Sequence, residues 1–132
     1  MKVLIDTNII VDVAVERQPY FAASQQVLLK VEQKQIEGYV SPSILSDIYY
    51  IVRKARGKEW TIDFLNWLVN VCQIATVNDE AVRIALSANF ADFEDAIQYG
   101  TAVVNQLEVI VTRNPQDFPV ETPRIMTPSE LI

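Results

Sequence analysis

Hydrophobic positions follow two rhythms along this chain. Val3, Leu4 and Ile5 form an unbroken apolar run near the N-terminus, and Val109, Ile110 and Val111 form another near the C-terminus. A short, wholly apolar strand reads as covered on both faces, as in a parallel sheet between helices. Elsewhere apolar residues recur at spacings of three and four, the mark of helices with one buried stripe. Ile9, Ile10, Val13 and Ala14 predict a short helix over Asn8 to Glu16, broken by Arg17-Gln18-Pro19. Phe21, Ser24, Val27, Leu28 and Val31 predict a longer helix over Tyr20 to Lys34. Ile44, Leu45, Ile48, Ile51 and Val52 mark a third, entered through Ser41-Pro42-Ser43 and closed by the basic run Arg53-Lys54-Ala55-Arg56-Gly57-Lys58. A fourth spans Trp60 to Val71, with Phe64, Leu65, Leu68 and Val71 inward. A fifth follows Asn78-Asp79 with Asp79 as its cap, and a sixth opens at Ala91 and Asp92. Small residues in that sixth helix, Ala96, Gly100 and Ala102, suit close approach to the sheet. Tyr39-Val40, Ile74 to Val77 and Ile125-Met126 complete the candidate strands, and Thr127-Pro128-Ser129-Glu130 starts a terminal helix.

Strands alternating with helices place the chain in the α/β class. The expected architecture is a three-layer α/β/α sandwich with a central parallel sheet of four to five strands, in a single domain over residues 1–132. A chain of 132 residues, half of them apolar, buries a core without covalent staples. Cys72, the only cysteine, lies in the apolar stretch VCQIATV and reads as a core residue. No apolar run is long enough for a membrane span, and no export signal is evident, so the expectation is a cytoplasmic protein.

Charge narrows the chemistry. There is no histidine, which removes the commonest general base and the histidine-based relays and zinc sites. Aspartate and glutamate number 17 against 11 lysines and arginines, a net charge of −6, which argues against a broad basic nucleic-acid-binding face. Any hydrolytic chemistry must rest on carboxylates, a metal ion, or both.

The carboxylates that can converge are few. Asp6-Thr7-Asn8 tips the first apolar strand, and Thr112-Arg113-Asn114, with Asp117 shortly after, tips the other. Ligands bind at the carboxyl ends of strands in open α/β sheets. Parallel neighbours lie roughly 4.8 Å apart, so direct pairing would bring the two tips together. Asp92 and Asp95 are three residues apart and share a helix face, whereas Glu94 is expected to point into solvent. Asp47 projects from the first half of a helix that follows a strand. Carboxylates crowded into one cleft repel each other, and a hard divalent cation such as Mg²⁺ or Mn²⁺ relieves that repulsion.

The stretches LIDTNIIVD, SPSILSDIYYIVRK, DFEDAIQYGTA, VIVTRNPQDF and TPSEL, in this order and spacing, resemble the PIN-domain family over essentially the whole chain. The resemblance implies a metal-dependent ribonuclease fold, often the toxin half of a VapC-type toxin–antitoxin pair. On it, Asp6, Asp47, Asp95 and Asp117 are the expected catalytic acids, and Asp6, Asp95, Asp92 and Asp117 the expected Mg²⁺ or Mn²⁺ ligands. Asn8, Thr112 and Asn114 become their supporting hydrogen-bond partners. Asp47 stands where the family usually has glutamate, and Asn114 where many relatives have aspartate. Arg53, Lys54, Arg56 and Arg113 are candidate RNA contacts, with Arg113 nearest the cleft. The function expected is endoribonuclease, with an RNA substrate, a cognate antitoxin as possible partner and homodimerisation by family resemblance. The alternative is a PIN-like binding or regulatory module with little catalysis. A phosphoacceptor receiver domain is disfavoured, because Asp6 is followed by threonine and no lysine tips the late strand.

Overall fold

The computed structural model describes all residues from Met1 to Ile132. Five strands, β1 (Lys2–Ile5), β2 (Glu37–Val40), β3 (Gln73–Ile74), β4 (Val109–Val111) and β5 (Arg124–Met126), form one sheet in the order β3-β2-β1-β4-β5. Every pairing is parallel. The two apolar runs are the central pair, in the register Val3↔Val109, Leu4↔Ile110, Ile5↔Val111. The strands are joined through α1 (Thr7–Ala14), α2 (Phe21–Glu32), α3 (Leu45–Arg56), α4 (Lys58–Val71), α5 (Asp79–Ser87) and α6 (Phe93–Val104), and α7 (Pro128–Leu131) ends the chain.

Side chains alternate across a strand, so β1 feeds two cores. Val3 and Ile5, with Val109 and Val111, join the larger one, built with Ile9 and Ile10 of α1, Val27 and Leu28 of α2, Ile48 and Val52 of α3 and Leu68 of α4. Leu4 and Ile110 point the other way, to Ala102 of α6, Leu107 and Phe118. Helices on both faces make the three-layer α/β/α sandwich expected from the sequence. Cys72 is buried in the larger core, and burial pushes its thiol up to about 12, so it stays protonated at neutral pH.

Three local readings are corrected. The third strand is Gln73–Ile74, not Ile74 to Val77. Ala75 still bonds to Val40, but both backbone groups of Thr76 are taken by the side chain of Asn105, which ends the pairing. The cap of α5 is Asn78, whose Oδ1 accepts from the Ala81 N–H at 3.0 Å; Asp79 is the first helical residue and pairs with Arg83 at 2.8 Å. Finally, the fourth helix begins at Lys58, not Trp60: Gly57, at φ 85°, stops α3 as expected and α4 follows at once.

Gly100 serves α5 rather than the sheet. A Cβ built there would lie 2.3 Å from the carbonyl oxygen of Ala81 on α5. Ala102, two residues on, makes the close approach to the sheet beside Leu4. The α5–α6 contact therefore fixes the position of the helix that carries Asp95.

Candidate active site

The register of β1 and β4 builds the floor of the site. One step beyond Ile5↔Val111 come Asp6 and Thr112, both buried. The ladder persists to that point, since Asp6 N–H bonds to the Val111 carbonyl and Thr112 N–H to that of Met126. The Thr112 hydroxyl donates to Asp6 Oδ2 at 2.8 Å and accepts from the Asn114 N–H at 3.1 Å. The other carboxylate oxygen, Oδ1, accepts from the Thr7 N–H at 2.7 Å and from Gln98 Nε2 at 3.3 Å. Asp6 is thus both the cap of α1 and a fixed anion at the sheet edge. Asn8 accepts from the Arg113 N–H at 3.5 Å, a long bond that ties the two strand tips together.

Around this floor lies a cleft of about 400 Å³, lined by six carboxylates: Asp6, Asp47, Asp92, Glu94, Asp95 and Asp117. Asn8 and Asn114 also line it, while Thr112 lies buried beneath. Every acid singled out in the sequence therefore opens on one cavity. Glu94 departs from its expected place, because it lines the cleft together with Asp47. The helical-face argument fails because Asp92 is not in the helix. It is the extended N-cap of α6, with Oδ1 accepting from the Asp95 N–H at 3.1 Å.

Two participants were missed in the sequence. Gln98 is buried on α6, bonded to Asp6, with its Oε1 lacking a partner. Its place three residues after Asp95 was the available signal. Arg17 lines the cleft and is the one lysine or arginine that does so. The basic residues nominated as RNA contacts lie outside it. Arg113 turns away, with Nε 2.8 Å from Asp12 Oδ2 and its guanidinium 3.9 Å from the Tyr20 ring centroid. Arg56 donates to the Ala14 carbonyl at 2.9 Å and stacks over Trp60. Arg53 and Lys54 are exposed on α3, just past Tyr50 and Ile51 of the cleft wall.

The electrostatics follow from the crowding. Asp95 is pushed up to about 7, first by burial and then by the charges of Asp6, Asp92, Asp117 and Glu94. Glu94 is raised as well, by burial and by Asp47. A carboxyl whose pKa is higher folded than unfolded binds extra protons in the native state. Its stabilisation is complete below the ordinary value of 3.8 and is lost as pH rises toward about 7. Metal-free protein is therefore expected to melt at a lower temperature at pH 8 than at pH 5, and Asp95→Asn should flatten that slope. Melting curves recorded in chelator check it; an unchanged slope in the variant would remove Asp95 as the cause.

The donor set suits a hard divalent cation: it is all oxygen, it is anionic, and its mutual repulsion is unrelieved by any histidine or lysine. No three carboxylates are drawn into a single ligand shell as the side chains stand. They surround a common space, and a cation would be held by closing side chains toward Asp6 and Asp95.

A parallel sheet with acids gathered at its central carboxyl edge defines a class of protein, and comparison with known families names it. The PIN domain model matches residues 2–116, so the chain belongs to the PIN-domain family. Ribonuclease VapC1 of Aquifex aeolicus (strain VF5) is 26% identical over 118 residues, covering 86% of this chain and 81% of the relative. Among solved structures, a toxin–antitoxin complex from Klebsiella pneumoniae superposes with a TM-score of 0.73 at 22% identity, over 96% of this chain and 97% of that one. VapBC2 from Rickettsia felis, bound to a DNA fragment from its promoter, gives 0.72 at 16% identity, over 96% and 98%. VapC20 of Mycobacterium tuberculosis, a toxin that cleaves the sarcin-ricin loop, gives 0.66 at 10%, over 82% and 86%.

Proposed function

We propose that this protein is a metal-dependent endoribonuclease and the toxin member of a toxin–antitoxin pair. The observation that carries this reading is the buried Asp6, fixed by three hydrogen-bond donors, beside an Asp95 that burial and then its acidic neighbours push up to about 7. Asp6 and Asp95 would be the principal Mg²⁺ or Mn²⁺ ligands, with Asp92 and Asp117 completing the set. A divalent cation there supplies the positive charge that activates water and stabilises in-line displacement at phosphorus. Thr112, Gln98 and the Thr7 N–H hold Asp6 in one orientation, and such supporting bonds are worth 10–100-fold in metal affinity or activity as an order of magnitude. Asp47, which lines the same cleft beside Glu94, would orient water there. Asn8 ties the two strand tips together, and the Asn114 N–H fixes the Thr112 hydroxyl that donates to Asp6. Arg53 and Lys54 are exposed where an RNA strand leaving the cleft would pass.

The names of the relatives supply the partners. VapC1 is a ribonuclease, VapC20 is a toxin that cleaves the sarcin-ricin loop, and the Klebsiella pneumoniae structure is a toxin–antitoxin complex. By that likeness the substrate is RNA and the partner a cognate antitoxin; action in the cytoplasm as a homodimer is proposed on the family resemblance alone. No helix is long and apolar enough to cross a membrane.

Cleavage of a mixed RNA pool by purified protein with Mn²⁺, repeated with chelator, tests the activity. Cleavage should require the metal. Mn²⁺ at a hundredfold excess over its dissociation constant should also stabilise the fold by about 2.7 kcal/mol. Calorimetry showing equal binding to wild type and to Asp6→Asn/Asp95→Asn would exclude the assigned ligands. Asn114, neutral where many relatives carry an acid, favours the second reading of a binding module with little catalysis. RNA retention without cleavage at any metal concentration would select it.

A further inference from the structure

An anionic substrate entering a cleft with six carboxylates meets repulsion that cations at its floor relieve only locally. The wall needs a positive group of its own, and Arg17 is the one lysine or arginine there. Its position is set by the end of α1. Glu16 takes a left-handed conformation at φ 52°, letting Arg17 N–H reach back to the Asp12 carbonyl at 2.9 Å while Glu16 N–H bonds to that of Val13. This is the Schellman closure of a helix, built here without glycine.

The side chain is held far more loosely than the backbone. Arg17 Nη1 lies 3.8 Å from Asp12 Oδ1, beyond hydrogen-bond distance, and 43% of the side chain is exposed. Asp12 itself is fully buried on α1, and its Oδ1 has no hydrogen-bond partner. Its other oxygen, Oδ2, faces Arg113 Nε at 2.8 Å and accepts from the Ser24 hydroxyl at 3.3 Å. Two arginines therefore flank one buried carboxylate. Arg113 is packed under Tyr20, whereas Arg17 is part exposed and lines the cleft.

We propose that Arg17 contacts a backbone phosphate of the RNA in the cleft, and that Asp12 is the positioning residue that keeps its guanidinium at the cleft wall. The inference rests on the ribonuclease reading above and adds its substrate-binding cation. A guanidinium suits this role because its planar fork gives several donors to phosphate oxygens and does not deprotonate.

Steady-state cleavage of a labelled single-stranded RNA oligonucleotide in Mn²⁺, over a series of salt concentrations, tests it with kcat and KM separated. Arg17→Gln should raise KM about tenfold, with a much smaller effect on kcat, and should reduce the slope of log KM against log salt by about 0.7, the value for one single-strand phosphate contact. Arg17→Lys should retain the slope. Arg83→Gln, on the exposed face of α5, should match wild type, and Mn²⁺ affinity by calorimetry should not weaken in Arg17→Gln. Asp12→Asn keeps the shape of the buried side chain. It should raise KM, and adding Arg17→Gln to it should bring little further change, as expected of residues acting through one contact. An Arg17→Gln enzyme with wild-type KM and salt slope overturns the proposal, whatever its melting temperature. Multiplying effects in the double variant overturn the role of Asp12. Wild-type protein that neither cleaves nor retains RNA overturns the ribonuclease reading itself, and the inference falls with it.

Discussion

Asp6→Asn is expected to lower RNA cleavage by about a hundredfold or more while leaving the protein folded. The magnitude follows from removing the anion that the proposed mechanism sets against a catalytic cation, and losing even a single supporting bond or fixed donor at such sites costs 10²-fold or so. The fold is spared because asparagine reproduces the local hydrogen bonds. Its Oδ1 still accepts from the Thr7 N–H, preserving the cap of α1, and from Gln98 Nε2. Its amide replaces Oδ2, and the Thr112 hydroxyl need only rotate from donor to acceptor. Loss of charge is then the main change. Circular dichroism melting should show a transition within a few degrees of wild type, while cleavage with Mn²⁺ falls to the level seen in chelator. Asp79→Asn is the comparison: Asp79 pairs with Arg83 on α5, outside the cleft, and cleavage should be retained. Undiminished cleavage in Asp6→Asn would end the assignment of Asp6.

Much of this site was legible because it is built on a regular rhythm. Val3-Leu4-Ile5 and Val109-Ile110-Val111 are short enough to admit one reading, and the polar residue ending each run falls at the same sheet edge by the register of parallel strands. What was not legible depends on where a helix begins. Glu94 was assigned to solvent by helical spacing from Asp92, yet Asp92 is a cap with extended backbone and the spacing does not apply across it. Asp79 and Asn78 differ by one position in the same way. Arg113 and Arg17 are adjacent to predicted breaks and look equivalent in the sequence. Their difference is tertiary: Tyr20 and Asp12 cover one, and the other opens on the cleft. Charged residues near a strand tip carry no local mark of which partner they will meet.

Gly100→Ala is expected to destabilise the protein by about 2 kcal/mol, against the direction that helix propensity alone predicts. In a helix interior alanine is favoured over glycine by about 1 kcal/mol. Here the added Cβ would stand 2.3 Å from the Ala81 carbonyl oxygen, and 3.1 Å from its carbon, so the obstacle is backbone and cannot rotate aside. Overpacking of this kind costs about 1–3 kcal/mol, and an overlap this deep with backbone belongs at or above the upper end, which outweighs the propensity gain. For a chain of 132 residues the melting temperature should fall by roughly 5–8 °C. The consequence reaches the cleft, because α6 must move away from α5 to relieve the overlap. Gln98 lies two residues before Gly100 and Asp95 one turn further back, so the shift is delivered to the partner of Asp6 and to the central acid. Mn²⁺ affinity should therefore weaken in Gly100→Ala even below its melting transition, which calorimetry at 15 °C would measure. A variant that melts higher than wild type would mean that the propensity term wins and that the two helices can part without cost.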